Sequence, residues 1–349
     1  MGLGTGAFRT RVCPASPLSY APQKDSAPAW AKPNDPIARD SSSCAKIPAS
    51  PVWRTRTCSA LPTILSVVVV AAVCVAAAAQ NANYSASVNK WRAEYEADLK
   101  SDHGWLTIAG LFWLHEGENR FGSSAVNDII LPQSAPPDVG SFDYHDGKVL
   151  VRVNPAVSAT IAGAPVTRAE VWPSGSRIEI AGIALWVHSS GDRLAVRMQD
   201  KNSPLRANFS GLHWYPINES YRVTARYVSL AEPKTIDSQN VLGDPLKLRF
   251  LGYVAFTLHG QEYRLLTESP ASGGLSFVFR DLTAGKETYP AGRFLDTEPP
   301  KDGEVVLDFN EAYNPPCAYN PYTTCPLPPP ENRLNVRIEA GEMAYRHDH

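Results

Sequence analysis

The stretch KVLVRV at residues 148–153 decides the fold class, because valine recurs at every second position. Val149, Val151 and Val153 would share one face of a β-strand, where side chains repeat every two residues. Similar short runs, separated by Gly, Asn, Asp or Pro, are RIEI (177–180), LAVRM (194–198), YRVTARYV (221–228), YVAFTLHG (253–260), EYRLL (262–266) and LSFVF (275–279). Short strands at this spacing are typical of antiparallel sandwiches and barrels. The sequence therefore predicts a mainly β fold.

One segment before the strands has a helical period instead. In SASVNKWRAEYEADLKSD, apolar side chains recur at steps of three and four residues, at Val88, Trp91, Tyr95 and Leu99. This spacing places them on one face of a helix. We therefore predict a helix over residues 86–102 that packs against the β-structure.

The turn-rich stretch DKNSPLRANFSG at residues 200–211 divides the strands into two groups. Pro, Asn, Ser and Gly in such density mark a break between periodic segments. We expect a β-sandwich unit over residues 103–200. A second antiparallel barrel or sandwich should follow over residues 205–349.

The N-terminal part of the 349-residue chain has a different character. Residues 1–60 are rich in Pro, Ser and Ala without apolar periodicity, which predicts a disordered extension. Residues 61–80 follow two arginines, are largely apolar and end in small residues, which is the pattern of a cleaved signal peptide. An uncleaved membrane anchor over 61–79 is the main alternative, since spanning a bilayer takes about 20 apolar residues. Either interpretation predicts an exported protein, periplasmic or secreted, or an extracytoplasmic domain on a membrane anchor.

Composition narrows the possible partners. The formal net charge of −2 provides no basic surface for nucleic acid. Only two of the six cysteines, Cys317 and Cys325, lie beyond the signal segment, and in an exported chain such a pair predicts a disulfide. Their Cys-x7-Cys spacing lacks the further nearby ligands that zinc requires, so we predict no metal and no cofactor.

Polar side chains are dense in three C-terminal stretches, FRDLTAGKETYPAGRFL (279–295), DFNEAYNPPC (308–317) and ENRL (331–334). If the strands bring these stretches together, they form a polar cluster that could bind a small polar or anionic ligand. The alternative is a buried hydrogen-bond network that fixes the loop carrying Cys317 and Cys325. The candidate ligand-binding residues are Asp281, Lys286, Arg293, Asp308, Asn310, Asn314, Asn332 and Arg333.

No familiar catalytic motif occurs in the sequence, so enzymatic activity is left open. A hydrolase-like enzyme would use Asp308 or Asp281 with His103 in acid–base roles. A purely structural envelope protein is the third hypothesis. A deep pocket that joins His103 to Asp308 and Arg333 would favour the enzyme. A shallow polar bowl without His would favour binding, and a fully hydrogen-bonded, solvent-free cluster would favour a structural role.

Part of the first unit resembles the forkhead-associated sandwich. The resemblance rests on ENRFGSSAVNDIILP (118–132), mainly on Gly122 and the run from Asn127 to Leu131. Ser123 stands where that family has its phosphate-binding arginine, and Asp143 lies where a phosphate contact is expected. The resemblance therefore implies a sandwich without phosphothreonine recognition.

From Trp91 to Glu342 the chain resembles an uncharacterised, mostly bacterial family, domain of unknown function 1684. The stretches that carry the resemblance are GWLTIAGLFWLHEGENRFG (104–122), FRDLTAGKETYPAGRFL (279–295) and DFNEAYNPPCAYNPYTTCPLPPPENRLNVRIEAGE (308–342). The resemblance implies a domain that is often exported and has no established activity. It singles out the C-terminal candidates above, together with the two cysteines.

Overall fold

The computed structural model describes residues 81–173, 175–268 and 273–346. The predicted extension at 1–60 and the predicted signal or anchor at 61–80 therefore lie outside the described residues. In the described part of the chain, no helix is both long enough and apolar enough to span a bilayer.

A helix precedes the sheets, as predicted. Helix α1 covers residues 81–99, and its buried side chains include Val88 and Leu99. Trp91 and Tyr95 lie half-buried one turn apart, with parallel rings whose centroids are 5.5 Å apart. The face predicted from the spacing is therefore the face that contacts the β-structure.

The protein is mainly β. The strands of the first unit are β1 (Ile108–Trp113), β2 (Gly117–Gly122), β3 (Ile129–Ile130), β4 (Gly140–His145), β5 (Lys148–Val153), β6 (Thr160–Ile161), β7 (Ala164–Pro165), β8 (Arg168–Val171), β9 (Ile178–Ile180), β10 (Ile183–Ser190) and β11 (Arg193–Asp200). They form a six-stranded sheet in the order β1-β11-β10-β9-β6-β7 and a five-stranded sheet in the order β3-β2-β4-β5-β8. Neighbouring strands pair antiparallel, except for the parallel pair β2–β3.

The two sheets of the first unit share one apolar core. Val149, Val151 and Val153 of β5 are buried in it, while Lys148 and Arg152 are exposed. This is the alternation that the sequence of β5 predicts, because successive side chains of a strand point to opposite faces.

The second unit follows a short helix, α2 (Pro204–Ala207). Its strands are β12 (Arg222–Gln239), β13 (Pro245–Leu258), β14 (Gln261–Thr267), β15 (Leu275–Phe279), β16 (Arg293–Thr297) and β17 (Glu304–Asp308). Four of them form a sheet in the order β14-β13-β12-β17, and β15 pairs with β16. A second apolar core lies beneath these sheets.

Two projections of the second unit contact the first. The long β12–β13 hairpin ends near Asp244, whose carboxylate accepts hydrogen bonds from Ser190 at 2.7 Å and Arg193 at 2.9 Å. In the cysteine loop, Asn320 donates to the backbone carbonyls of Trp105 at 2.8 Å and Ile108 at 2.7 Å. The end of the hairpin and the loop between the cysteines therefore both connect the two β units.

Asn332 is a structural amide of the second unit. It is fully buried, accepts from the N–H of Leu266 at 2.7 Å, and donates to the carbonyls of Leu266 at 2.9 Å and Val278 at 3.0 Å. These three bonds satisfy backbone groups of β14 and β15 that would otherwise lack partners.

Replacing Asn332 by alanine should therefore strip three partly buried backbone groups of their hydrogen-bond partner. We expect Asn332→Ala to lower the free energy of unfolding by about 3 kcal/mol, measured by urea denaturation. Asn335→Ala is the matched control, because Asn335 is exposed, and it should change stability by less than about 0.5 kcal/mol. Equal losses in the two variants would contradict this role for Asn332.

Candidate ligand-binding site

Asp281 and Arg293, both predicted as ligand contacts, form an ion pair inside the C-terminal unit. Asp281 Oδ1 lies 3.3 Å from Arg293 Nη2, and both side chains are 1% exposed. Asp281 accepts from the N–H of Ile338 at 2.8 Å, and Arg293 donates to the carbonyls of Ile338 and Ala340. The pair therefore binds the C-terminal segment of the chain.

Asn314, another predicted contact, is bound to a buried carboxyl group that the sequence analysis missed. Its N–H and its side-chain amide each donate to Glu342 at 2.8 Å, and Tyr319 donates to the same carboxyl. Burial raises the pKa of Glu342 to about 7, although these hydrogen bonds act in the opposite direction. Asn314 and Glu342 are both 0% exposed, so this group is a closed network.

Three other predicted residues are exposed and lie apart from this network. Lys286 is in the turn before β16, Arg333 follows Asn332, and His103 follows α1. The start of α1 reaches Asp308 through Tyr84, whereas its end, at Leu99, packs with Tyr319. At 1.5 Å per helical residue, the two ends are about 22 Å apart. His103 and Asp308 therefore lie toward opposite ends of α1, and the structure does not bring them into one pocket.

The polar group that does reach the surface lies at the start of α1. We define this rim cluster as Tyr84, Arg222, Asp308, Asn310 and Glu311. The hydroxyl of Tyr84 donates to Asp308 at 2.9 Å and accepts from the amide of Asn310 at 2.9 Å. Arg222 Nε lies 3.7 Å from Asp308 Oδ2, and the Arg222 side chain is 50% exposed. Two predicted contacts, Asp308 and Asn310, thus belong to the cluster.

Local structure explains why this cluster forms. Asp308 ends β17 and caps the 3-10 helix Phe309–Glu311 by accepting from the N–H of Asn310 at 3.0 Å. The cap turns the chain sharply, so that Glu311 follows Asp308 by one helical turn.

The hydroxyl of Tyr84 stays protonated in this cluster. Burial and the negative charge of Asp308 raise its pKa, so that it remains a hydrogen-bond donor.

Glu311 is the chemically unusual member of the rim cluster. In the described part of the chain its carboxyl group has no hydrogen-bond partner, and the side chain is only partly exposed. Burial, reinforced by the charge of Asp308, raises the pKa of Glu311 to about 7, while Arg222 and Arg92 act in the opposite direction. A carboxyl with a pKa near neutrality can bind as an anion or donate as an acid.

Cys317 and Cys325 are both free thiols in this structure, so the predicted disulfide is not formed. A hydrogen bond between the two side chains raises the pKa of Cys317 and lowers that of Cys325. The thiols are therefore neighbours, and their oxidation to a disulfide stays a prediction.

A shallow hollow lies elsewhere, on the outer face of the four-stranded sheet. Polar side chains that line it include Arg226, Glu262 and Glu304. None of the sequence-predicted ligand contacts lines this hollow. Among the described residues, no group of three or more His, Cys, Asp or Glu side chains is placed to hold a metal ion.

Sequence reasoning missed Tyr84, Glu311 and Glu342. The Tyr84–Asp308 contact joins residues 224 positions apart, and no local pattern signals such a pairing. Glu311 had a usable signal, since it lies three residues after Asp308 and a 3-10 turn brings such positions together.

Comparison with known proteins supports one part of the predicted resemblance. Residues 207–343 match the model of the family described as "Protein of unknown function (DUF1684)". The match supports assignment of the second β unit to that family, whereas Trp91 and the first unit lie outside it. No curated protein matches the chain.

Two solved structures show partial similarity. A solution NMR structure of an uncharacterized protein from Haloarcula marismortui is 34% identical over 40% of this chain and 78% of its own, with a TM-score of 0.34. A structure from a study of phosphothreonine-dependent FHA domain interactions is 15% identical over 26% of this chain and 92% of its own, with a TM-score of 0.20. At these TM-scores neither similarity bears on the arrangement of the fold.

Glu342 gives the protein a testable pH dependence. Its folded pKa of about 7 exceeds the ordinary value of 4.5, so the folded state binds the proton more tightly. The stabilisation is complete below about pH 4.5 and is lost as pH rises through about 7, a change of about 3 kcal/mol. Chemical denaturation across this range should show a smaller loss for Glu342→Gln than for the wild type.

The control variant for this measurement is Glu339→Gln, because Glu339 is exposed and, among the described residues, its carboxylate pairs with Arg337 alone. It should retain the wild-type dependence on pH. Glu311 contributes a change of the same sign, so Glu342→Gln should keep part of the slope. If the unfolding free energy of Glu342→Gln falls with pH as steeply as that of the wild type, the pKa of Glu342 is not raised in the folded protein.

Proposed function

We propose that the protein binds a small polar ligand at the rim cluster formed by Tyr84, Arg222, Asp308, Asn310 and Glu311. The observation that carries the proposal is the partly buried Glu311 carboxyl, which lacks a hydrogen-bond partner among the described residues. Carboxyl groups with a perturbed pKa concentrate at functional sites. The Glu311 carboxyl is therefore available to accept a hydrogen bond from a ligand.

The neighbouring charges indicate the chemistry of the ligand. Two carboxyl groups on one short turn, Asp308 and Glu311, disfavour a simple anion at this point. An ammonium or hydroxyl group can donate to Glu311, and Arg222, half-exposed and 3.7 Å from Asp308, can bind an acceptor on the same ligand. The expected class is therefore a small molecule with both a donor and an acceptor, such as an amino acid or a sugar.

Glu311→Gln tests the site directly. A panel of free amino acids and monosaccharides is screened against the wild type by saturation-transfer NMR, and a binder is titrated by calorimetry. For an amine, affinity should rise as pH increases through about 7, because the ionised carboxyl binds ammonium. Glu311→Gln should lower that affinity about tenfold or more and abolish the pH dependence, consistent with the loss of a charge-assisted bond.

Glu304→Gln is the control, since Glu304 is exposed on β17 and lines the shallow hollow. Binding that survives Glu311→Gln but is lost in Glu304→Gln would move the site from the rim cluster to the hollow. An absence of binding by every member of the panel would refute the ligand class proposed.

A hydrolase-like activity is the second candidate. It is favoured by two carboxyl groups one turn apart, in which burial raises the pKa of Glu311 to about 7, an arrangement suited to acid–base roles. This candidate replaces His103 with Glu311 as the partner of Asp308. Turnover of p-nitrophenyl esters or glycosides that disappears in Glu311→Gln would favour the enzyme over simple binding.

We further propose that the chain is exported through residues 61–80 and that Cys317 and Cys325 are oxidised there. The contact between the two thiols supports this proposal. Closing a nine-residue loop should stabilise the fold by about 2.6 kcal/mol in the chain-entropy model. Mass spectrometry of the exported protein should give a mass two hydrogens lower without reductant than with it. Two free thiols in the exported protein would contradict the disulfide.

A further inference from the structure

Arg280 and Arg333 lie side by side on the outer surface of the second unit. Their backbones form a parallel β-bridge, in which the N–H of Arg280 donates to the carbonyl of Asn332 at 3.0 Å and the N–H of Leu334 donates to Arg280 at 2.7 Å. Residues directly opposite each other in a ladder point to the same face. Asn332 and Leu334 are buried, so both arginines point outward, and both are exposed.

This placement is electrostatically unfavourable for the protein alone. Like charges that face each other across a pair of strands destabilise it. In the part of the chain that the structure describes, neither Arg280 nor Arg333 forms an ion pair with a carboxylate. The carboxylates nearest along the chain are engaged elsewhere, since Asp281 is buried in its pair with Arg293 and Glu331 pairs with Lys234 at 2.7 Å. Nothing among these residues therefore neutralises the two guanidinium groups.

We propose that Arg280 and Arg333 form a binding site for a small anion that carries a carboxylate or phosphate group. Two guanidinium forks on adjacent backbone positions can each donate paired N–H groups to such an anion. The anion would also remove the repulsion between the arginines. This site goes beyond the rim cluster, because it uses neither Glu311 nor Asp308 and selects the opposite charge.

The test uses the full chain and two probes, inorganic phosphate and succinate, at low ionic strength. Saturable binding is measured by calorimetry and by the NMR signals of the arginine Nε–H groups. We expect Arg280→Gln and Arg333→Gln each to weaken binding about tenfold or more, and the double variant to abolish it. Added sodium chloride should weaken wild-type binding, since exposed charges are screened by salt.

Arg249→Gln is the matched control, because Arg249 is an exposed arginine of β13 that forms no ion pair among the described residues. It should bind phosphate as the wild type does. Thermal unfolding supplies a second measurement: in low salt, Arg333→Gln should raise the melting temperature, and phosphate should raise that of the wild type but not of the double variant.

Two results would overturn the proposal. One is an equal loss of phosphate binding in Arg249→Gln, which would indicate nonspecific attraction to positive charge. The other is the absence of saturable binding of either probe by the wild type. Glu311→Gln should keep full phosphate affinity, so failure here and failure at the rim cluster can be told apart.

Discussion

The buried ion pair between Asp281 and Arg293 is the interaction on which the C-terminal unit depends. It binds the segment around Ile338 from both sides, through the N–H to Asp281 and the carbonyl to Arg293. Gly341 then passes so close to the chain that an added Cβ would lie 2.5 Å from the carbonyl of Ala312. With this approach fixed, Glu342 can reach Asn314 at the start of the cysteine loop.

Such a pair is held in place more by its surroundings than by its own attraction. Removing two charges from water costs several kcal/mol for each charge. Coulomb attraction offsets this desolvation cost only when the remaining polar atoms of both groups have hydrogen-bond partners. Asp281 meets that condition through Thr283 and Ile338. Arg293 meets it at its two terminal nitrogens, which donate to backbone carbonyls and to Asp281, whereas its buried Nε has no partner among the described residues. Losing either partner would therefore also loosen the backbone around Ile338, which the pair binds through hydrogen bonds.

The sequence could predict the strands because the signal is local. The alternation in β5 and the helical face of α1 depend only on neighbouring residues and on which of them are apolar. The high number of polar side chains in the C-terminal stretches is also evident from the sequence. The sequence does not reveal, however, which of these side chains are buried. Asp281 and Arg293 were interpreted as ligand contacts, yet they face each other inside the unit. The partner of Asn314 was hidden for the same reason, because Glu342 lies 28 residues away.

Polar side chains of the same types thus have two roles in this protein. Those that are buried hold the backbone together, and those that reach solvent are available to a ligand. Amides such as Asn320 and Asn332 are suited to the interior, since they both donate and accept without the desolvation cost of a charge. Each of them is occupied by backbone groups and has little left for a ligand. At the rim cluster the network is incomplete, because Asp308 is fully engaged while Glu311 is not. Ligand recognition is therefore expected where the internal hydrogen-bond network ends, at Glu311.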